Sequence, residues 1–443
     1  MTDTNDKTIP KSPIETFISL MGLDVNRWEY RGIEIFRGDV KFFDDKDPDK
    51  PVLVVSTGEL GDIDHGTVTV HISCKRGLRH VCDGCGRVMT VNKWVDTRYK
   101  SAPTMGMRTF VRISVPQMRC KKCGIYRKVR CPLVVENHTY TKLLKLDVLE
   151  KLHVNTVKNT AEACRIGPWV VYDILEEMVQ KGLEVQDLSD VTTLFLDEIQ
   201  STHGQNYVTM VADQNHRAIC GVNGHDIGSV REVKAWLQSK SCDVNKIEYV
   251  SADMSTAYKS GVAECFPNAK LIIDKFHLDK MVNEAADKVR KRTNRELHSA
   301  GLDFPKRVKY TILYRRKNHD EKHKARMEQV RLYNKDLALA FDLKEEFFEL
   351  FSSSDKNAAR SAFFSWYNRC RGSHIEEMIE VSGRLLRRLN DILRYFDHRI
   401  TNAVSEGLNS VYKRIKAAAY GYKNELNLIQ MCLFRKGDLK LSI

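Results

Sequence analysis

The sequence predicts a multidomain α/β protein with four parts: a β-rich N-terminal module, a short pair of helices, a core built on a mixed sheet, and an all-α insertion. Three observations support this fold class. Strand-like alternation surrounds two pairs of closely spaced cysteines, a βββαβαβ order of elements follows from residue 191, and residues 275–399 have helical patterns without strand runs. With 443 residues, 42% of them hydrophobic, the chain is long enough for two to four domains.

The N-terminal module contains two Cys-x-x-Cys pairs, Cys82/Cys85 and Cys120/Cys123. Each pair places two thiolates on one tight turn, and two such pairs complete a tetrahedral site for a structural Zn²⁺ ion. Three glycines beside the pairs supply the permissive backbone dihedrals that such turns need: Gly84, Gly86 and Gly124. If one pair were broken, a flanking residue would have to replace it as a ligand: Cys74, His80 or Cys131.

The same stretch is strongly basic. Residues 74–131 contain 15 Lys and Arg against two Asp, a balance of +13 that equals the net charge of the whole chain. This charge favours a polyanionic partner, and nucleic acid fits better than an anionic membrane because no helical pattern combines aromatic and basic residues as a membrane-surface anchor does. The other cysteines are scattered singly, the N-terminus lacks an apolar signal segment, and no apolar run is long enough to span a bilayer. These features indicate a reduced, cytoplasmic location.

Short patterns predict the elements of the N-terminal region. Residues 1–13 are polar and contain proline, which favours disorder, and an amphipathic segment starts at Ile14. Alternation of apolar and polar residues predicts four strands: residues 32–36, 51–55, 66–72 and 109–115.

A pair of helices follows this module. Residues 156–164 predict a short helix, a glycine turn follows, and a second helix starts at Pro168, where a missing N–H has no helical partner to lose. This outline fits a helix-turn-helix that presents Trp169, Val170 and Tyr172 to a major groove. An ordinary αα-hairpin has the same outline, so both interpretations stay open.

The core begins with three strands at hairpin distances, followed by two strands that each come after a helix. The predicted strands are residues 191–196, 207–212, 217–222, 247–252 and 269–274, and the helices between them are residues 230–237 and 255–265. This βββαβαβ order with a mixed sheet fits the ribonuclease H-like architecture.

Acidic residues follow two of these strands. Asp197 and Asp253 come directly after predicted strands, and Glu406 lies on the polar side of a late amphipathic helix. Carboxylate oxygens are ligands of Mg²⁺, and a pair of Mg²⁺ ions can activate an attacking oxygen and stabilise a leaving one during phosphodiester cleavage. Simpler roles also fit, because Asp253 or Asp274 can cap the helix that follows and Glu406 can belong to a solvated face.

The predicted insertion, residues 275–399, has a basic portion from residue 288 to residue 317. Trp366, within this insertion, fits either the helical core or a role in stacking on a flipped base.

The residues around the cysteines and the carboxylates resemble those of the ISL-three family of bacterial insertion-sequence transposases. Four blocks carry the resemblance, in the order in which that family has them. They are CDGC (82–85) with MRCKKCG (118–124), FLDEI (195–199), SADMSTAY (251–258) with FPNA (266–269) and IDKFH (273–277), and TNAVSEGLN (401–409) with KRIK (413–416) and AYGY (419–422).

The resemblance implies a DDE transposase in which Asp197, Asp253 and Glu406 bind two Mg²⁺ ions for hydrolysis at element ends and transesterification into target DNA. It also implies that Asp274 and His277, which form an Asp-x-x-His motif, lie beside the metal site. A helix cap and an ordinary helical histidine are the alternative for this pair. DNA contacts are expected at Arg119, Lys121, Lys122, Trp169, Tyr172, Lys413 and Arg414.

The expected partners are the terminal inverted repeats and the target DNA, with a homodimer or higher assembly in the synaptic complex, in the bacterial cytoplasm at the nucleoid. The predicted domains are an unassigned segment (1–70), the zinc module (71–135), the helix-turn-helix (140–185), the catalytic core (190–274 and 400–424), the helical insertion (275–399) and a tail (425–443). Two other functions stay open: a domesticated, non-catalytic DNA-binding repressor, and a structure-selective nuclease or resolvase on the same fold.

Overall fold

The computed structural model describes residues 13–37, 40–42, 66–201, 206–253, 255–273, 275–301, 307–398, 403–422 and 424–441. The chain divides into two compact units, residues 1–182 with 441–443 and residues 183–440. The predicted disorder before residue 13 and the predicted strand at residues 51–55 lie outside the described residues. The predicted mixed α/β class is confirmed, because each unit contains one mixed sheet together with helices.

The described residues of the first unit form six strands and four helices. Its elements are α1 (Pro13–Leu20), β1 (Trp28–Arg37), β2 (Val40–Phe42), β3 (Thr67–Cys74), β4 (Thr90–Thr104), β5 (Met107–Arg119), β6 (Tyr126–Lys128), α2 (Lys142–Val154), α3 (Val157–Ala163) and α4 (Pro168–Glu184), which runs two residues into the second unit.

The sheet of the first unit has the order β2-β1-β3-β5-β4, and β6 pairs with β5. Strands β3 and β5 run parallel, and the other pairs are antiparallel. Alternate residues of β5 from Thr109 to Val115 are buried, as expected for a strand with one face on a core, whereas β3 buries residues on both faces. These core residues are Val68, Val70, Ile72, Val111, Ile113 and Val115.

Two parts of this sheet differ from the expectation. Strand β1 contains the predicted strand at residues 32–36 but begins four residues earlier, and it pairs with β3 from Trp28 to Phe36, so the segment without a domain assignment contributes a strand to this sheet. Strand β4 was not predicted, because most of its residues are polar and no clear alternation marks one face. It forms through its long antiparallel ladder with β5, from Thr90↔Arg119 to Thr104↔Met107.

Helices α2 and α3 start at threonine caps. The hydroxyl of Thr141 accepts a hydrogen bond from the N–H of Leu144, and that of Thr156 accepts one from the N–H of Asn159. The predicted outline of short helix, turn and second helix is therefore present as α3 and α4. Val170 is buried, so it cannot reach a DNA groove from α4 in the way the helix-turn-helix interpretation expects.

The second unit contains five strands and twelve helices of α type among its described residues. The sheet part comprises β7 (Thr193–Gln200), β8 (Tyr207–Asp213), β9 (Ala218–Asn223), α5 (Ile227–Ser239), β10 (Tyr249–Ala252), α6 (Thr256–Cys265) and β11 (Lys270–Ile273). The helices that follow are α7 (Lys275–Ser299), α8 (Val308–Leu313), α9 (Glu321–Tyr333), α10 (Lys335–Leu350), α11 (Lys356–Gly372), α12 (Glu376–Leu386), α13 (Leu389–Leu393), α14 (Tyr395–His398), α15 (Ala403–Ala418) and α16 (Glu425–Lys436).

The sheet of the second unit has the order β11-β10-β7-β8-β9. Strands β7, β8 and β9 form an antiparallel meander, and β10 and β11 run parallel to β7. The order of strands and helices is the one that the sequence predicts. The meander therefore puts β7 in the centre of the sheet, next to β10.

Helices α7 to α14 share one hydrophobic core. Trp366 is completely buried in that core, where its ring lies 4.9 Å from Phe347 and 5.5 Å from Phe363, and its indole N–H donates to the carbonyl of Leu343 at 2.8 Å. Between residues 275 and 398, the described part of the chain forms helices and turns without strands. Trp366 therefore belongs to the helical core and is not available to stack on a base.

The last two helices pack on the sheet. Helix α15 contacts β7, and α16 contacts β8 and β9. The sequence treated residues 425–443 as a tail, but α16 buries one continuous apolar side through Leu428, Met431 and Cys432. None of the helices described is long and apolar enough to cross a membrane.

Candidate functional site

The four predicted cysteine ligands come together. The Sγ atoms of Cys82, Cys85, Cys120 and Cys123 all lie within 4.8 Å of one another, and those of Cys85 and Cys120 are 3.6 Å apart. Four thiolates around Zn²⁺ at about 2.3 Å need sulfur–sulfur distances of about 3.8 Å, so this donor set fits a tetrahedral zinc ion. In the part of the chain that the structure describes, no other group of three or more such side chains is close enough to hold a metal. Cys74 and Cys131 instead lie buried in the core of the first unit.

The two cysteine turns have the same backbone design. The N–H of Gly86 donates to the carbonyl of Cys82 at 2.8 Å, and the N–H of Gly124 donates to the carbonyl of Cys120 at 2.9 Å. Both glycines have positive φ, 69° and 67°, which explains why glycine follows each pair. The φ of Gly84 is one that other residues can adopt, so the backbone does not require glycine at this position. A Cβ there would lie 3.3 Å from the side chain of Ile125.

Hydrogen bonds from the backbone prepare the cluster for a cation. The N–H of Cys123 points at the sulfur of Cys120 at 3.4 Å, the largest of several contacts that lower the pKa of the Cys120 thiol to about 7, while the thiols of Cys85 and Cys120 and burial raise the pKa of Cys123 to about 12. A thiol must lose its proton to bind zinc, so the lowered pKa of Cys120 favours the form that is a ligand.

Exposed cations surround the cysteine turns. Arg119, Lys121 and Lys122 are all exposed, and the guanidinium of Arg119 lies 5.5 Å from the ring centroid of Tyr126. Arg127 forms an ion pair with Asp83 across the two turns. The predicted DNA contacts of the zinc module are therefore on its surface.

In the second unit, two of the predicted carboxylates lie side by side. Strands β7 and β10 pair in parallel, and Ser251 is opposite Phe195. The paired register ends there; Asp197 and Asp253 each follow two residues later, and both carboxylates are close enough to Glu198 to act on its pKa. Asp197 lies inside β7 and not after it as predicted, because β7 continues to Gln200 in its ladder with β8.

The side chain of Asp253 also shapes the turn after β10. Its Oδ1 accepts a hydrogen bond from the N–H of Ser255 at 2.7 Å. The N-cap of α6 is Ser255, whose hydroxyl accepts from the N–H of Ala257, so the interpretation of Asp253 as that cap is wrong. Asp253 is half-buried and remains beside Asp197.

His277 approaches the same place from α7. Its Nε2 lies 4.0 Å from Oδ1 of Asp197, and both side chains are largely buried. Asp274 lies outside the described residues, as does the side chain of Glu406, although the backbone of Glu406 is on α15. Helix α15 packs against β7, the strand that contains Asp197.

Sequence reasoning did not assign a role to Glu198, the neighbour of Asp197. Burial, followed by the nearby carboxylate of Asp253, raises the pKa of Glu198 above its usual value. Close beneath it, the hydroxyls of Thr209 and Tyr258 are 2.8 Å apart, and Tyr258 is completely buried. In the sequence, the roles of Glu198 and Tyr258 were indicated only by their positions: Glu198 follows Asp197, and Tyr258 ends the block that contains Asp253.

Helix α15 turns its predicted apolar face towards the core. Leu408, Tyr412 and Ile415 are buried, and burial raises the pKa of Tyr412 well above its usual value, with smaller contributions from Cys432 and Asp197. Lys413 and Arg414 are exposed on the opposite side. In the first unit, Trp169 is 64% exposed at the start of α4 and Tyr172 is half-buried. These four residues are therefore at least partly accessible.

Comparison with known proteins identifies the class of protein to which this arrangement belongs. Residues 194–432, more than half of the 443 residues, match a family model described as transposase, of the DDE type of ISL3 elements. Residues 78–123 match a second family model, described as the zinc-finger of transposases of IS204, IS1001, IS1096 and IS1165. The chain belongs to the ISL3 family of transposases.

Two curated relatives cover most of the chain. The transposase for insertion sequence element IS1001 of Bordetella parapertussis is 25% identical over 354 residues, which are 78% of this chain and 86% of that protein. The transposase for insertion sequence element IS1557 of Mycobacterium tuberculosis is 22% identical over 422 residues, which are 86% of this chain and 91% of that protein. The resemblance found in the sequence is confirmed, and the four cysteines lie inside or at the end of the matched zinc-finger region.

Proposed function

We propose that this protein is a DDE transposase that binds the terminal inverted repeats of an insertion sequence and catalyses Mg²⁺-dependent cleavage and strand transfer. The observation that supports the proposal is the parallel pairing of β7 and β10: Asp197 and Asp253 each come two residues after the pair Phe195 and Ser251, inside the region matched to transposases. A meander of three antiparallel strands extended by two parallel ones is also the strand arrangement of the ribonuclease H-like architecture.

The donor set fits magnesium. Asp197, Asp253 and Glu406 would hold it, since carboxylate oxygens are its preferred protein ligands. When bound, two such ions activate the attacking oxygen and stabilise the leaving 3′ oxygen. The structural observation that supports the fit is the proximity of carboxylates: burial is the main cause of the raised pKa of Glu198, and the negative charges of Asp253 and Asp197 add to it, a repulsion that a cation would relieve.

The residues of the chain position the reactants. Asp197 lies in the ladder of β7 with β8, and Asp253 follows the paired end of β10, so both carboxylates start from a hydrogen-bonded sheet. His277, 4.0 Å from Asp197, and Asp274 are proposed to lie beside the scissile strand and organise the carboxylates. In the first step water displaces the 3′ oxygen at the element end, and in the second that 3′ hydroxyl attacks a target phosphodiester, so one bond forms as another breaks.

DNA binding is assigned to the first unit and to α15. The zinc module would grip the element ends through Arg119, Lys121 and Lys122, and α3 with α4 would act as a helix-turn-helix through Trp169 and Tyr172. Lys413 and Arg414, both exposed on α15, would contact DNA near the carboxylates. Two ends must be processed together, which requires a homodimer or a higher assembly.

Substitution of Asp253 tests the proposal. In Asp253→Asn the amide oxygen still accepts the hydrogen bond from Ser255, so the turn is preserved while the charge is lost. We expect Asp253→Asn and Glu406→Gln to abolish cleavage and joining of a labelled terminal-repeat substrate in Mg²⁺, with unchanged affinity for that DNA. Asp243→Asn is the matched control, since Asp243 is exposed and only caps a short 3₁₀ helix, a position where asparagine serves equally well.

Retained joining in both variants would refute the DDE assignment. If the wild-type protein binds the repeats but cleaves no substrate, a repressor is the better description. If it cleaves branched DNA regardless of the end sequence, it is a structure-selective nuclease.

A further inference from the structure

The helical part of the second unit exposes a row of aromatic rings. Tyr310 on α8 is 56% exposed, and Tyr314, one turn later, is 47% exposed. Their ring centroids are 6.0 Å apart, Tyr314 lies 5.4 Å from His323, and His323 stacks on His319 at 5.6 Å. Tyr310 and Tyr314 are the solvent-facing members of this row, since the His323 side chain is only 17% exposed and pairs with Asp320. Two neighbouring exposed rings indicate a binding site more strongly than single exposed residues do.

Cations alternate with these rings. Residues 307–317 contain five Lys and Arg and no acidic residue. Arg307, Lys309 and Lys317 are exposed, and the Nζ of Lys309 lies 5.9 Å from the ring centroid of Tyr310. Aromatic rings interleaved with positive charge are the composition of sites for single-stranded nucleic acid, in which unpaired bases stack on rings and cations follow the phosphates. The bases of an intact duplex are stacked on each other and do not offer their faces.

A buried ion pair holds the backbone under the two tyrosines. Lys344 on α10 is completely buried, and its ammonium donates to the carbonyls of Ile312 at 2.7 Å and Tyr314 at 2.8 Å. Its partner Glu345, 3.0 Å away, accepts a hydrogen bond from the N–H of Arg316 at 2.9 Å. Buried charges are costly unless they are paired and hydrogen-bonded, and here both charges are used to fix the turn after α8. The rings are therefore presented on a preorganised support, which reduces the entropy lost on binding.

We propose that Tyr310 and Tyr314 form a stacking platform for an unpaired DNA strand, with Lys309 and Lys317 beside its phosphates. The choice of DNA as the nucleic acid rests on the proposed function. Of the two roles that the sequence allows for Trp366, helical core or base stacking, its burial leaves the core. Tyr310 and Tyr314, by contrast, are exposed, so an unpaired base can reach their rings.

Fluorescence anisotropy with the full-length protein tests the platform, using a labelled mixed-sequence single strand and the blunt duplex of the same sequence, without added Mg²⁺. Stacking on one ring corresponds to a change in affinity of about fivefold or more, so Tyr310→Ala with Tyr314→Ala should raise the Kd for the single strand by about 20-fold or more. The Kd for the duplex should change by less than about twofold. Tyr310→Phe with Tyr314→Phe should bind like the wild type, because the rings remain. Tyr333→Ala is the matched control, since Tyr333 on α9 is 71% exposed but lies outside the row.

Photocrosslinking gives a second measurement that does not depend on a variant. A single strand containing 5-iodouracil should crosslink the wild-type protein at Tyr310 or Tyr314, and adducts found only at other residues would overturn the proposal. An unchanged single-strand Kd in the double alanine variant would also overturn it, as would an equal loss on the duplex. The assays separate this proposal from the transposase mechanism. A protein that binds single strands through the tyrosines but never cleaves DNA refutes the proposed function alone, and one that cleaves while binding single strands independently of the tyrosines refutes the platform alone.

Discussion

Replacement of Trp366 by alanine should destabilise the helical part of the second unit by about 4 kcal/mol. Trp366 is fully buried, and a tryptophan side chain buries about 150–250 Å², which at about 25 cal/mol per Å² corresponds to about 4–6 kcal/mol as an upper estimate. Measured Trp→Ala changes in cores cost about 3–5 kcal/mol. The lost hydrogen bond to Leu343 adds about 1 kcal/mol or less, because that carbonyl lies inside α10 and keeps its helical partner.

The assay must report on this region separately from the rest of the chain. Urea unfolding followed by circular dichroism gives the global change, and hydrogen exchange with mass spectrometry gives the opening free energy of α10 and α11. Trp366→Phe keeps one ring and should cost about 1–2 kcal/mol. Trp169→Ala is the matched control: at 64% exposure it should change stability by about 0.5 kcal/mol or less.

A Trp366→Ala protein within about 1 kcal/mol of the wild type would refute the reasoning, because no fully buried indole can be removed so cheaply. The same pair of variants separates the two tryptophans by role. If α3 and α4 bind DNA, Trp169→Ala weakens terminal-repeat binding without loss of stability. Trp366→Ala instead lowers stability without weakening that binding.

Two further predictions concern the zinc cluster and a buried lysine. Cys82→Ser with Cys120→Ser should lower bound zinc from about one ion per chain to near zero, as measured by atomic absorption, and should unfold the cysteine turns. Full zinc content, or unchanged protection of residues 78–123 in hydrogen exchange, would contradict a structural site. Burial lowers the pKa of Lys344 to about 8 from 10.5, so the unfolded state binds more protons between those values, and stability rises as the pH increases through that window. Between pH 7.5 and 9.5 the free energy of unfolding of the wild type should therefore rise by about 2 kcal/mol relative to Lys344→Met, and parallel pH profiles would exclude the buried charge.

The sequence was most informative where a local pattern and a chemical requirement coincide. The cysteine turns need a positive φ after each pair, so the conformational role of Gly86 and Gly124 could be predicted from the sequence. The strand before Asp253 is a short apolar run, and its end was placed correctly.

Elements stabilised mainly by long-range pairing could not be predicted in this way. Strand β4 has a polar sequence and exists through its ladder with β5. Similarly, the predicted end of β7 came too early, because Asp197 and Glu198 are polar residues inside a strand that β8 holds in place. The burial of Trp366 depends on its packing against α10, through Leu343 and Phe347, and a local pattern contains no information about that packing.

The position of α16 has a consequence for the order in which the protein is made. Apart from its last three residues, the first unit is synthesised before the second, so it can fold while the ribosome is still translating the rest. The sheet that contains Asp197 is covered only when residues 425–436 have emerged, because α16 supplies the apolar side that packs on β8 and β9. A chain interrupted late in translation would therefore have an assembled cysteine cluster and a second-unit sheet with an exposed apolar face. Such a product is prone to aggregation and to proteolysis, which removes fragments that lack a complete second unit.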